Sequence, residues 1–472
     1  MRQIIADVGY YETRAAVLEN ERLAEIHFER LQSSSLVNNI YMARIINLLP
    51  GLRTAFLDIG ISQNVFLYQD QMTIPFETLR PGEMLMVQVV KDAYNEKGPK
   101  ATMHLSLPGK YLVMLPETAH IGISNKIVGK EKRDQLHQWA TTLKKDNHGL
   151  IIRTVSIHQT LETLEQDWRY LQSLWNLILH RKNTVPHGRP LYREQALLPR
   201  LLRDLVNTET ELFLLNNSQE ADLLRNICNQ LMPQKTHIIE TADVGTALFQ
   251  DFQVEPQWER AMQPRVPLPS GGYVVIHHTE ALTSIDVNTG RFKGKGGFQE
   301  SVRLTNLEAA DEIARQLRLR DIGGIIIIDF IDLKSPVHQN ELLKYFQDVL
   351  GTDRQKTTLL GFTRLGLVEM TRKRTRQKMT TLFNDPCECC LGSGTTRSIY
   401  WSLYEIETIL RRLSNQTDLA AAVVIIHPAR LSQMEASGIN LTDMAKEYGI
   451  HITIKTKKEY ALDQLEVSGI HY

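Results

Sequence analysis

Apolar and polar positions alternate over short runs at the start of the chain. IIADVG, TRAAVLEN and RLAEIHFER, separated by polar turns, read as a β-meander over residues 1 to 32 without covering helices of its own. Five further runs, NIYMARIINLL, TAFLDIG, NVFLYQ, MLMVQVV and ATMHLSL, lie between Asn38 and Leu107, divided by turns such as Pro50-Gly51 and Pro81-Gly82. Five strands in about 70 residues is the count of an OB-type barrel, a fold that commonly binds single-stranded nucleic acid. Phe56 and Phe66 sit on the second and third runs, where such barrels present rings to bases, although an aromatic in a strand is more often core. The period then lengthens: Leu161, Leu164, Trp168, Leu171, Leu174 and Ile178 mark an amphipathic helix with Trp168 in the core. Ala196 to Val206 is a second helical stretch, and Glu211 to Met232 joins a short apolar run to a helix. An α/β layer of this kind could cover the orphan N-terminal strands, so the barrel and the helical segment are expected to be inserted within one split domain.

Downstream of Ser270-Gly271-Gly272, YVVIHHT and ALTSIDV read as strands. Alternation in the second puts Leu282, Ser284 and Asp286 on one face, continued by Asn288. The loop GRFKGKGG follows; it is flexible and basic but not a Walker loop, which makes a nucleotide motor a poor reading. Thr305 and Glu308 fit a T-x-x-E capping box ahead of a helix carrying Leu307, Ala310, Ala314 and Leu317. IIII at 325 to 328 has the apolarity of a strand buried on both faces, and it ends in Asp329, with Asp332 beyond. Two strands that each end in a carboxylate, with an asparagine after the first, suit a hard cation such as Mg²⁺. TRKRTRQK at 371 to 378 is a solvated face or a phosphate-neutralising run, and His277-His278 read as ordinary strand histidines. CECCLGSG, from Cys387 to Gly394, holds half of a tetrahedral Zn²⁺ site. Either the pair is redox active or a second chain supplies two more thiolates; Cys387 with Cys390 is the favoured pair, and Cys389 is a third thiol beside it. Residues 397 to 472 read as a small α/β module whose last strand is HITIKT.

Composition narrows this only a little. At about 150 residues per domain, 472 residues suggest about three. Lys plus Arg equals Asp plus Glu at 54 each, so any basic surface is a local patch. No apolar run nears the roughly 18 residues of a membrane span, and the first residues lack a signal peptide, which gives a cytoplasmic expectation. Four cysteines are too few for a disulfide scaffold.

The stretches SIDVNTGR, TNLEAADEIARQLRLRDIGG with IIIIDFIDL, RLGLVEM and C-x-x-C-x-G-x-G resemble the ribonuclease E/G family nearly end to end. The resemblance implies an α/β multidomain fold: a ribonuclease-H-like domain (1–35 and 199–265), an OB-type RNA-binding barrel (36–107), a 5′-sensor (108–198), a deoxyribonuclease-I-like catalytic domain (266–383), a zinc link (384–396) and a small C-terminal domain (397–472). By position in the motifs, Asp286 and Asp329 match Mg²⁺ ligands and Asn288 the residue that orients the scissile phosphate. Phe56, Phe66 and Lys97 match the barrel's RNA contacts. Arg153 and Thr154 match the grip on a 5′-terminal monophosphate, with Gly109 and Val113 lining the pocket, and Cys387 and Cys390 match thiolates of a zinc shared between chains. The family departs from this sequence at Glu388, where it usually has proline. The implied activity is Mg²⁺-dependent endonucleolytic hydrolysis of single-stranded RNA by a metal-activated water, leaving 5′-phosphate and 3′-hydroxyl ends and favouring 5′-monophosphorylated substrates. rRNA precursors and mRNA are the expected RNAs, and a homodimer or higher oligomer the expected assembly. Ending at Tyr472, the chain is expected to lack the long scaffold tail for a degradosome and any membrane anchor, as in the ribonuclease G branch. The competing reading is a non-catalytic RNA-binding or ribosome-maturation factor whose acidic pair is structural.

Overall fold

A computed structural model describes the chain except for residues 31–34, 94–97, 145–146, 244, 291–297, 375–378, 380–382, 386, 388, 391–393, 416–418 and 472. The chain divides into two compact units, Met1–Arg376 and Gln377–Tyr472. Within the first, the N-terminal meander does find partners late in the sequence. Arg2–Val8 pairs antiparallel with Glu12–Glu19 and parallel with Thr210–Leu215, giving a five-stranded sheet bounded by Arg22–Arg30 and Ile239–Thr241. Ile4, Ala6, Ala15 and Val17 pack in one core with Phe213, Leu215 and the buried face of Ser218–Leu231, Leu224 and Cys228. Burial of that apolar stripe is what holds a meander that could not shield itself.

Ile40–Leu49 pairs on one edge with Thr54–Asp58 and on the other with Met84–Lys91, and Val65–Tyr68 and Lys100–Thr102 complete the circuit. This is a closed five-stranded barrel, with Pro190–Tyr192 added to its outside edge. Ala55, Leu57, Val65, Leu67, Val87, Val89 and Ala101 fill its interior. Next to it, a four-stranded sheet of Leu107–Pro108, Leu112–Leu115, Ile121–Ile123 and Gly149–Ile152 packs with Lys130–Leu143 and Leu161–Lys182. Trp168 lies in this core at 3% exposure, as the helical spacing requires.

The last sheet of the unit is six-stranded, in the order Arg265–Pro267, Tyr273–His278, Leu282–Asn288, Gly324–Asp329, Val368–Arg372, Thr357–Phe362. Leu282–Asn288 and Gly324–Asp329 are parallel and joined by the long helix Phe298–Leu319. That helix and Pro336–Leu350 cover one face, where Val274, Ile285, Ile326 and Ile328 meet Ala310, Ile313, Leu317 and Phe346.

Four expectations are corrected here. Thr305 and Glu308 do not cap a helix, because Phe298–Leu319 starts seven residues earlier; the Thr305 hydroxyl donates to the Ser301 carbonyl one turn back, and Glu308 accepts from the Ser270 amide. The IIII strand is buried on one face only: Ile326 and Ile328 are fully buried but Ile325 is 52% exposed. In the basic run, Arg372 is buried and ion-paired to Asp353 at 2.6 Å and Asp321 at 2.9 Å, so it is structural, and residues 375–378 lie outside the described set. HITIKT is not the last strand. In the second unit Leu419–Ile426 pairs parallel with Ile452–Thr456 and antiparallel with Leu465–His471, and Ile399–Leu413 packs on this sheet.

Candidate functional site

The parallel register of Leu282–Asn288 and Gly324–Asp329 sets Asp286 directly beside Asp329. Alternation turns Thr283, Ile285 and Val287 into the core and leaves Asp286 on the open face, and the same alternation exposes Asp329 beyond Ile328. Neighbouring strands lie about 4.8 Å apart, so the two carboxylates share one place. Asn288, two residues on, donates its Nδ2 to Asp286 Oδ2 at 2.7 Å. Partial burial, then the carboxylates of Asp286 and Asp332, push the Asp329 pKa up. Among the described residues neither Asp286 nor Asp329 has an ion-pair partner. Crowded, uncompensated anions at the ends of rigid strands fit a divalent cation, which relieves the repulsion that raises the pKa. Among the described residues no three His, Cys, Asp or Glu side chains form a complete cage. Two carboxylates with phosphate and water oxygens are the usual donor set for Mg²⁺, so the residues present fit that ion.

The surroundings fix this pair in ways that sequence reasoning missed. Asn306, fully buried on the long helix, donates to the Ile331 carbonyl at 2.7 Å and accepts from the Ile331 amide at 3.0 Å. It thus pins the segment between Asp329 and Asp332; an asparagine inside an otherwise apolar helical face was the signal. At the other end, Gly290 has φ +59° and comes so close to Gly271 that a Cβ would meet its carbonyl at 2.3 Å. Only glycine lets the two loops close against each other there. The basic loop beyond Gly290 lies outside the described residues, and His278 Nδ1 meets Thr283 Oγ1 at 3.0 Å within its own hairpin.

On the barrel, Phe56 and Phe66 are opposite each other in register, with ring centroids 4.9 Å apart and planes tilted by 55°. Both are half-buried, while their strand neighbours Ala55, Leu57, Val65 and Leu67 are fully buried inside. The rings are therefore outside the barrel and not its core filling. Gly98 passes against Phe66, where a Cβ would come within 2.9 Å of the ring. Lys97 lies outside the described residues.

The four residues expected to form a sensor, Arg153, Thr154, Gly109 and Val113, lie in one part of the four-stranded sheet. Leu112–Leu115 and Gly149–Ile152 pair with Val113 opposite Ile151, and the chain leaves the second strand at Arg153. The Arg153 guanidinium donates to Asp204 Oδ1 at 2.8 Å and to the Gly109 carbonyl at 2.5 Å. The Thr154 and Ser124 hydroxyls are 2.8 Å apart. Gly109 has no room for a side chain, since a Cβ would meet Asp167 Oδ2 at 2.5 Å. That buried carboxylate accepts the amides of Lys110, Tyr111 and Leu112 and so shapes the loop. Burial pushes the Asp167 pKa up, against those three hydrogen bonds. Asp204 was not foreseen from sequence. Burial alone would raise its pKa, but the guanidinium of Arg203, then that of Arg153, hold it well below the usual carboxylate range. Lys110 is driven down to about 7 by burial and by Arg153, its Nζ donating to the Arg203 and Val206 carbonyls.

In the second unit, Cys387 and Cys389 are exposed and Cys390 half-buried. The amide of Gly394 donates to Cys390 Sγ at 3.3 Å. Backbone donation from Cys390, then Cys389, lowers the Cys387 pKa. Amide donors directed at the Cys387 sulfur favour its thiolate, the form that binds zinc. A cavity of about 690 Å³ opens elsewhere, between Asn20, Gln257, Leu268 and Arg315, and none of the candidate residues lines it.

A barrel with outward aromatics, a guanidinium held by a carboxylate and a strand-end carboxylate pair, on separate sheets of one unit, suit a nucleic-acid-binding protein with an acidic centre. The model of the Ribonuclease E/G family matches residues 106–375. Ribonuclease G of Haemophilus influenzae is 35% identical over 485 residues, covering 98% of this chain and 99% of that protein. Ribonuclease G of Escherichia coli K12 is 34% identical with the same coverage. Ribonuclease E of Synechocystis sp. is 35% identical over 398 residues, which is 80% of this chain and 58% of that protein. The chain belongs to the ribonuclease E/G family.

Proposed function

We propose that this protein is an endoribonuclease that hydrolyses single-stranded RNA at Asp286 and Asp329, acting on rRNA precursors and mRNA in the cytoplasm. The observation that carries the reading is the parallel register that sets the two carboxylates side by side on the open face of the sheet. Mg²⁺ held by Asp286 and Asp329 would polarise a phosphoryl oxygen and lower the pKa of an attacking water. Asn288 holds Asp286 in orientation and directs its amide at the scissile phosphate. The strand enters over Phe56 and Phe66, whose faces take bases without reading their identity. Arg153 and Thr154 take the 5′-terminal monophosphate, with Gly109 and Val113 forming the floor. A guanidinium suits phosphate because it binds two oxygens at once.

On the same reading, the sheet containing Arg2–Val8 is the ribonuclease-H-like unit, and the sheet carrying the carboxylates is the deoxyribonuclease-I-like one. Cys387 and Cys390 supply half of a zinc site completed by a second chain, which makes the protein a dimer or larger. Half a zinc per chain by metal analysis, with a dimeric or larger mass by light scattering, is the expected result, and a metal-free monomer that cleaves RNA fully would remove the shared site.

Cleavage of a labelled single-stranded RNA in Mg²⁺ tests the reaction. Products with 5′-phosphate and 3′-hydroxyl ends are expected. Products with 2′,3′-cyclic phosphate would mean that the RNA's own hydroxyl attacks, and binding without cleavage would favour a maturation factor.

A further inference from the structure

Tyr68 lies two residues beyond Phe66 on Val65–Tyr68, so both point out of the barrel while Val65 and Leu67, which alternate with them, are fully buried. The two rings are nearly parallel, 16° apart in plane, with centroids 6.4 Å apart. That spacing is the two-residue repeat of a strand, about 6.7 Å. Lys100 is the register partner of Phe66 on the adjoining strand, and its Nζ stands 4.7 Å from the centre of the Tyr68 ring. Phe56, Phe66 and Tyr68 thus form a continuous row of outward rings, and the end of that row carries a cation. Sites for single-stranded nucleic acid combine these two elements, ring faces for successive bases and ammonium groups for the backbone between them. Neither residue has a part in the barrel interior, which is closed by other side chains.

We propose that Tyr68 and Lys100 extend the RNA-binding face by one nucleotide, the Tyr68 ring taking a base and the Lys100 ammonium the adjoining phosphate. The extension rests on the RNA-binding reading of Phe56 and Phe66. Because every base has a ring face, it adds length to the bound strand and not sequence preference.

The test is fluorescence anisotropy on the full chain without added divalent cation, using a ladder of oligoadenylates that differ by one nucleotide. Tyr68→Ala should bind the longer RNAs about 5- to 150-fold more weakly, the range for loss of one stacked base, whereas Tyr68→Phe should bind like the parent. Below one length in the ladder, parent and Tyr68→Ala should bind alike, because no nucleotide reaches the ring. Lys100→Gln should reduce the slope of log affinity against log salt by about 0.7, the value for one phosphate contact to a single strand. A Tyr68→Ala loss that is the same at every length would mean that the ring merely props Phe66, and would overturn the extension. Phe66→Ala keeps the two levels apart. If it weakens binding while Tyr68→Ala and Lys100→Gln match the parent at every length, only the extension fails; if Phe66→Ala itself binds like the parent, the RNA-binding face fails with it.

Discussion

Under the proposed function, the strand-end carboxylates and Arg153 are opposite solutions to holding a charged ligand. Asp286 and Asp329 stand together on an open sheet face with no ion-pair partner among the described residues, and partial burial, then the neighbouring carboxylates, raise the Asp329 pKa. Arg153 already has its counter-charge, because Asp204 accepts from it at 2.8 Å and is itself held by Arg203. If the first site takes Mg²⁺ as proposed, its function should depend wholly on that cation. The second is neutralised in advance, and a phosphate bound there as proposed would have to compete with a carboxylate for the guanidinium. The lesson is one of magnitude: the acidic pair should behave as all or nothing, whereas the pocket should modulate.

The largest expected effect lies at the acidic pair. Asp286→Asn and Asp329→Asn should each reduce cleavage to background, and the double variant should be no worse than either alone, since residues acting on one ion are not additive. Single-turnover cleavage of one labelled RNA by the three variants measures this. If each single variant kept partial activity and the double variant multiplied the two losses, the carboxylates would not serve one site.

Arg153→Ala comes next. The parent should prefer a 5′-monophosphate RNA over its 5′-hydroxyl counterpart, and the variant should lose about 1.5 to 3 kcal/mol of that preference while cleaving the 5′-hydroxyl RNA normally. Ratios of kcat/KM for the two RNAs give the answer. Equal loss on both would make Arg153 structural and would collapse the contrast between the sites.

The smallest effect concerns Asp204, whose folded-state pKa is depressed. A depressed carboxylate stabilises the fold fully above its unfolded pKa of about 3.9 and loses that contribution as pH falls through the folded value. Asp204→Asn should therefore show a shallower loss of melting temperature than the parent below about pH 4. Parallel curves would mean that the Arg203 and Arg153 contacts do not favour the charged form.

The two regions also differ in how much of them the sequence discloses. Alternation in LTSIDVN and the apolar run before Asp329 are local patterns, and two adjacent strands bring their ends together with little else required. Both carboxylates, and the outward face of Asn288, could be read from residues alone. The Arg153 pocket could not. It depends on Asp204, 51 residues away, and on Asp167, 56 residues from the amide of Tyr111 that it holds. Only the resemblance to a family pointed to Arg153, and nothing pointed to its carboxylate. The errors have the same origin. Arg372 belongs to a run that looks solvated until Asp353 and Asp321 are packed against it, and T-x-x-E at Thr305 fits the interior of a helix as well as its start. The last strand escaped notice because Gly469 interrupts the alternation of LEVSGIH.

The measurement that bears most directly on the acidic site is a Mg²⁺ titration of RNA cleavage with RNA affinity followed in parallel, on the parent and on Asp329→Asn. Cleavage by the parent should rise from background to saturation with Mg²⁺, and the variant should stay at background at every concentration while binding RNA as tightly as the parent. Parent-like cleavage by Asp329→Asn at saturating Mg²⁺ would contradict the assignment of the metal to this carboxylate pair.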